Sequence, residues 1–201
     1  MEADLSSGNP NPKVLKSVRA YWNNLHSFLK KGKNAWEKLM LLLRDLSDND
    51  ISTISHWPSY PLEFEELDYA LRLNGWLTEF RNKPVTWCFA AEQAGELIAF
   101  TILSSTERGE AEFRIALRAD RIGQGLGFPI TALTLKKGFF ELGLSRIHLI
   151  ARKNNPTAIR LYKKTGFVER RVCCKDTNGK RVEYLTMDLA KEAYAMKESG
   201  S

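Results

Sequence analysis

The sequence predicts a mixed α/β protein of the α+β type, its strands antiparallel at first and later joined through crossover helices. Three observations lead there. Residues 85–117 are β-branched and apolar runs separated by short turns, and short turns join only antiparallel strands. From residue 118 onward the pattern changes to an alternation of helical and strand periods. The 201 residues, 43% of them hydrophobic, are enough to bury one sizeable core.

The elements follow in order from Trp36. KLMLLLRDL reads as a strand, and Asp48 to His56 as a short helix behind a Ser47/Asp48 cap. WPSYP is a rigid turn, and Leu62 to Leu73 is helical behind Pro61. VTWCFAAE and ELIAFTILSS form a hairpin through Gly95; AEFRIAL continues the meander after a turn at Arg108 and Gly109. A helix spans about Gly125 to Leu142, with Leu126, Ile130, Leu133 and Phe140 on one face and Gly143 as its stop. RIHLIAR is a strand and NPTAIRLYKKTG a capped helix. FVERRVCCKD and RVEYLTMDL are two final strands about a turn at Asn178 and Gly179.

Charge and cysteine usage narrow the function classes. Six of the 30 lysines and arginines lie in residues 1–35, against two of the 24 acidic residues, so the net charge of +6 is largely an N-terminal property. The remainder lacks the one-sided basic face of a nucleic-acid module, and no nucleic-acid partner is expected. In the N-terminal stretch Val14, Val18, Trp22, Leu25 and Leu29 recur at helical spacing among lysines. Residues 1–35 therefore read as a basic amphipathic extension able to dock on the body, a partner or an anionic surface, and residues 36–201 as the folded domain. No apolar run approaches the roughly 18 residues of a membrane span, and the first residues lack a secretory pattern. Cys88, Cys173 and Cys174 have neither metal-ligand nor disulfide spacing. The expectation is a cytoplasmic protein with reduced cysteines and no metal.

Two stretches carry chemistry. In RADRIGQGLGFP, glycines 123, 125 and 127 stand between a strand and a helix. Glycine lets the backbone turn tightly and approach a ligand, and free amides at the following helix start favour an anion such as a pyrophosphate. The pattern is neither a dinucleotide fingerprint nor a P-loop, and by itself is equally a plain glycine-rich turn. In NNPTAIRLYKKTGF, Asn155 caps a helix with Pro156 at its first position; Ala158 and Tyr162 share the face of Asn155, and Gly166 ends the helix before Phe167.

With these two motifs in this order, the sequence resembles the GNAT superfamily of acetyl-coenzyme A dependent N-acetyltransferases. IGQGLG resembles its pyrophosphate loop, and Asn155, Ala158, Tyr162, Gly166 and Phe167 its second signature. The resemblance covers about Leu39 to Leu189 and is strongest to the bacterial spermidine acetyltransferases and the enzymes that acetylate ribosomal-protein N-termini. Ile122 departs from the Gln or Arg usual at its place. The implied fold is a central mixed, twisted sheet of about seven strands with antiparallel N-terminal strands, a splay between strands four and five, and flanking helices.

The resemblance also implies roles. Acetyl-coenzyme A is the expected cosubstrate, its pantetheine arm along Ile115, Ala116 and Leu117 and its pyrophosphate on the amides around Ile122, Gly123, Gln124, Gly125, Leu126 and Gly127. Asn155 could bond the arm, although capping alone explains it. Tyr162 would protonate the departing thiolate, the alternative being a packing tyrosine. Glu112 is the candidate base; as a strand neighbour two residues from Arg114 it could equally be half of an ion pair. Trp57, Tyr60 and Glu63 are the expected acceptor contacts, though acidic residues after Pro61 are also what a helix N-terminus prefers. His26, His56 and His148 take structural roles. The expected reaction is acetyl transfer to a small amine or a peptide N-terminus by direct attack, with room for a homodimer. A coenzyme A binding regulator without catalysis is the alternative.

Overall fold

Each apolar run of the first half folds as a strand paired to its predecessor: β1 (Leu41–Asp45), β2 (Thr86–Gln93), β3 (Glu96–Glu107) and β4 (Glu110–Leu117), all antiparallel. A computed structural model describes residues 40–72, 74–177 and 180–199; the amphipathic extension and the turn at Asn178 and Gly179 lie outside the described residues. Then β5 (Arg146–Arg152), β6 (Val168–Thr177) and β7 (Lys180–Ala190) complete a seven-stranded sheet in the order β1-β2-β3-β4-β5-β7-β6. Among the described strands only β4 and β5 run parallel; β5, β7 and β6 are antiparallel neighbours. The expected mixed sheet is the observed one.

Helices cover both faces. On one lie α1 (Asp48–Ser55), a 3₁₀ stretch (Leu62–Leu71) and α2 (Trp76–Arg81), whose Ile54, Leu77 and Phe80 pack with Trp57 on Phe100 and Ile102. On the other, α3 (Gly127–Lys136), α4 (Pro156–Thr165) and α5 (Lys191–Ser199) cover a core that includes Phe113, Leu135, Phe139, Ile147 and Met187. Three elements differ from expectation. Residues 62–71 wind as 3₁₀ rather than α helix, and α2 and α5 have no counterpart in the sequence pattern. The face of α3 is also shifted: Ile130, Thr131, Thr134, Leu135, Gly138 and Phe139 are buried, whereas Phe140 is 50% exposed. A π turn over Lys137–Glu141 ends this helix, and its wider winding adds a residue per turn. Gly138 reinforces the shift, since a Cβ there would stand 2.7 Å from Ile147 Cδ1.

The junction of β1 and α1 is held electrostatically. Ser47 and Asp50 form a capping box, and Arg44 of β1 grips the buried Asp50 carboxylate through two hydrogen bonds of 2.6 and 2.8 Å. The Arg44 hydrogen bonds are the main cause that holds the Asp50 carboxyl below the usual carboxylate range. A depressed native pKa stabilises the fold above the unfolded value near 4 and ceases to do so as pH falls through the native one. Asp50→Asn should therefore cost about 1–2 kcal/mol at pH 7, the lower side reflecting the partial exposure of Arg44. In urea unfolding the gap between the two proteins should narrow below about pH 4; a gap of constant size would assign the loss to packing.

Candidate active site

Parallel pairing of β4 with β5 lasts three rungs, Glu110 with Arg146, Ala111 with Ile147 and Glu112 with His148. Beyond Glu112, β4 stays on β3 as far as Leu117 while β5 stays on β7 as far as Arg152. The two strands therefore part, and a gap opens between their C-terminal halves. The segments leaving the two strands stand at the mouth of that gap: the glycine loop and α3 after β4, Asn155 and α4 after β5. Such a break in strand pairing, at the carboxyl ends of parallel strands, is where open sheets accept ligands.

The loop is shaped by backbone rules. Gly123 and Gly125 adopt φ of +78° and +77°, and a Cβ on either would meet no protein atom within 4 Å. The conformation demands glycine, and the space beside it is open. Gly127 serves differently: a Cβ there would stand 3.0 Å from Leu161 Cδ2, so its bareness lets α3 lie against α4. Gln124 pins the loop by donating to the Asp120 carbonyl at 2.7 Å, and Ile122 and Gln124 are exposed. No side chain caps α3 at Leu126, which leaves the first-turn amides unclaimed. Open space, unclaimed amides and a helix dipole fit a pyrophosphate.

On α4, the Asn155 side-chain oxygen accepts from the Ala158 amide at 3.0 Å, and Gly166 closes the helix at φ +110°. Cap and stop are as the sequence predicts. Tyr162 sits two turns along, held by edge contacts to Phe113 and Phe167 at 6.3 and 5.9 Å between centroids. Its hydroxyl has no hydrogen-bond partner among the described residues, and burial pushes its pKa up to about 12. The phenol thus stays protonated at neutral pH with its donor free.

Strand alternation places Glu112 and Arg114 on the opposite face from Phe113 and Tyr162, toward α2. The Glu112 carboxylate lies 2.9 Å from Arg114 Nη2, and the guanidinium rests 3.8 Å over the Phe80 ring. Glu112 forms the ion pair, and it stands at the root of the gap. Its buried Oε1 accepts no aligned hydrogen bond among the described residues. Trp57 and Tyr60 are 5% and 8% exposed and belong to the core beneath α1 and the 3₁₀ stretch. The Tyr60 hydroxyl donates to the Leu117 carbonyl at 2.6 Å, and burial raises its pKa. Leu117 is thus already engaged at its carbonyl, while Ile115 and Ala116 line the parted edge of β4. Glu63 lies on the 3₁₀ stretch, its side chain outside the described set.

Two features escape the sequence pattern. His148 occupies the last rung before the gap, beside Glu112, because of a register between strands far apart in sequence. Trp76 and Phe80 of the six-residue α2 form the apolar bed of Arg114, and a helix so short leaves little periodicity to read. Among the described residues no three His, Cys, Asp or Glu are grouped as metal ligands would be, and no helix is long and apolar enough to cross a membrane.

Known proteins share this fold. The family model described as an acetyltransferase (GNAT) domain matches residues 37–168. The spermidine N(1)-acetyltransferase of Escherichia coli strain K12 is 32% identical over 123 residues, covering 60% of this chain and 63% of that protein; that of Escherichia coli O157:H7 matches equally. The chain thus matches somewhat under two thirds of the length of these curated relatives. Among solved structures, mutant forms of the spermidine/spermine N-acetyltransferase of Vibrio cholerae superpose with a TM-score of 0.64 at 25% identity, covering 79% of this chain and 99% of theirs. The Vibrio cholerae enzyme in complex with CoA and spermine gives a TM-score of 0.65 at 23% identity, a likeness of fold, over 77% of this chain and 98% of that one.

Proposed function

The chain belongs to the GNAT acetyltransferase family and has its fold, and from that premise we propose that it transfers the acetyl group of acetyl-coenzyme A to a primary amine, with a polyamine as acceptor. The observation that carries this reading is the unpartnered Tyr162 hydroxyl, held among apolar rings at a gap flanked by an open glycine cradle.

Each residue has a task in that reaction. The amides from Gly123 to Gly127 hold the pyrophosphate, and the parted edge of β4 at Ile115 and Ala116 offers backbone groups to the amide-bearing pantetheine arm. Asn155 adds its side-chain amide while its oxygen caps α4. The thioester supplies the activated acyl group. Glu112 receives the acceptor ammonium and accepts its proton, after which the neutral amine attacks the carbonyl; Tyr162 donates to the sulfur as the thiolate leaves. Trp57 and Tyr60 back the acceptor side from below, and Glu63 contributes negative charge to a cationic amine.

A polyamine is preferred over a peptide N-terminus because the curated relatives are spermidine acetyltransferases. The same proposal includes a cytoplasmic protein that self-associates, at least as a homodimer, and an N-terminal extension over residues 1–35 outside the catalytic domain. The match to the family begins at residue 37, which supports that boundary. The test is release of thiol from acetyl-coenzyme A with spermidine, a peptide bearing a free N-terminus, and an aminoglycoside. Spermidine should give the highest kcat/KM. Turnover with the peptide alone would keep the reaction and replace the acceptor; no thiol release with any amine would overturn the proposal.

A further inference from the structure

We infer that His148 is the proton exit of the acceptor side, taking through the Glu112 carboxylate the proton that the acceptor ammonium must lose. The inference rests on the acetyl-transfer reading and adds a residue to it.

Register and alternation bring the groups together. His148 pairs with Glu112 of β4 in parallel and with Asp188 of β7 in antiparallel register. Laterally paired residues share a face. Glu112, His148 and Asp188 therefore form one row across the sheet, on the face opposite Ala111, Phe113, Ile147, Leu149 and Leu189, which are buried under α3, α4 and α5. This is the face of the proposed acceptor, and the row stands at the root of the gap.

Two members of the row are chemically open. Glu112 Oε1 is buried and faces Arg114 at 2.9 Å without an aligned hydrogen bond. His148 is half-buried and has no hydrogen bond or ion pair among the described residues. The other charged groups facing it are already occupied. Glu110 of β4 and Asp188 of β7 both meet Arg146 at 3.5 Å, Asp188 also takes Arg170 of β6 at 2.8 Å, and Arg114 lies over Phe80. Glu110 and Asp188 thus face arginines, whereas His148 has no charged partner among the described residues. Imidazole is the side chain that both takes and gives protons near neutral pH.

The proton balance closes with this residue. The ammonium gives one proton to Glu112, directly or through a water, and a water between the paired positions carries it on to a ring nitrogen of His148, which releases it to solvent. The neutral amine attacks; the nitrogen of the new amide sheds a second proton as the thiolate gains one from Tyr162, which is reprotonated by that second proton through solvent. One proton leaves per acetyl group transferred.

The experiment measures kcat/KM for spermidine between about pH 6 and 9.5 in the full chain and in His148→Gln, with acetyl-coenzyme A affinity from calorimetry beside it. His148→Gln should be slower by roughly 30-fold at pH 7 and by less than about 3-fold at pH 9.5, where more of the amine arrives neutral. Coenzyme affinity should stay within about twofold, and adding His148→Gln to Glu112→Gln should cost little more than Glu112→Gln alone. His148→Asn serves as a second variant should the glutamine fold poorly. A deficit that is absent, or of one size at every pH, overturns the relay while acetyl transfer by the parent chain stands. A parent chain that releases no thiol with any amine overturns the acetyl-transfer reading and the relay with it.

Discussion

Tyr162→Phe should lower turnover by roughly 10- to 1000-fold while leaving acetyl-coenzyme A affinity and the thermal midpoint nearly unchanged. The substitution removes one oxygen and keeps the ring, so the edge contacts to Phe113 and Phe167 persist. On the proposed reaction, the loss is that of the donor to the leaving sulfur. Burial has pushed the phenol up to about 12, whereas a free thiol titrates near 8.5. Complete proton transfer would therefore run uphill unless the same apolar surroundings raise the thiolate as well, which burial does. In either case a hydrogen bond to the developing negative charge lowers the barrier, and water entering the gap sets the smaller end of the range. The pH dependence has a definite sign. A donor that stays protonated to about 12 is in its active form throughout the neutral range. An alkaline fall in kcat below about pH 10 should thus be the same in Tyr162→Phe as in the parent, since this phenol does not titrate there. Full turnover by the variant at saturating substrates would reduce Tyr162 to packing.

Gly125→Val should weaken acetyl-coenzyme A binding by about 10- to 100-fold in calorimetry, which is about 1.4–2.8 kcal/mol. Gly125 holds φ at +77°, a region that a β-branched residue enters at a cost of about 1–3 kcal/mol. The loop would move to relieve that strain, and the amides of the cradle would no longer converge. Should it stay, the added carbons would fill the open space beside it, where no protein atom lies within 4 Å. Strain lowers stability wherever it is placed, so a matched control is needed. Gly143 has φ +72° and the same open surroundings, at the end of the π turn that succeeds α3. Gly143→Val should lose comparable stability in thermal unfolding and keep its coenzyme affinity. Equal dissociation constants for Gly125→Val and the parent would remove the cradle from the site.

The parts of the site that could be read from the chain are those ruled by neighbours within a few residues. Asn155 before Pro156 is a cap, Gly166 is a left-handed stop, and closely spaced glycines between strand and helix form a tight turn; each arises from local sterics and local hydrogen bonding. The strands are legible for the same reason, because alternation and turn chemistry are short-range properties. Where competing windings differ by a single residue, local pattern fails. The apolar face of α3 admits both Phe139 and Phe140, and the choice falls to the fit of Gly138 against Ile147 on the sheet.

Lateral pairing lies beyond the sequence altogether. Tyr60 bonds to Leu117 across 57 positions, and Glu112 meets His148 because β4 and β5 pair for three rungs and then separate. The chain by itself determined that there is a mixed sheet, an anion-sized turn and a phenol on a capped helix. Tertiary structure alone decided which strand residues share the face of Glu112 and Arg114, since a shift of one residue in register would turn every side chain of β5 to the other face. That register is set by the cores on both faces together, a sum over residues far apart in sequence that no local pattern encodes.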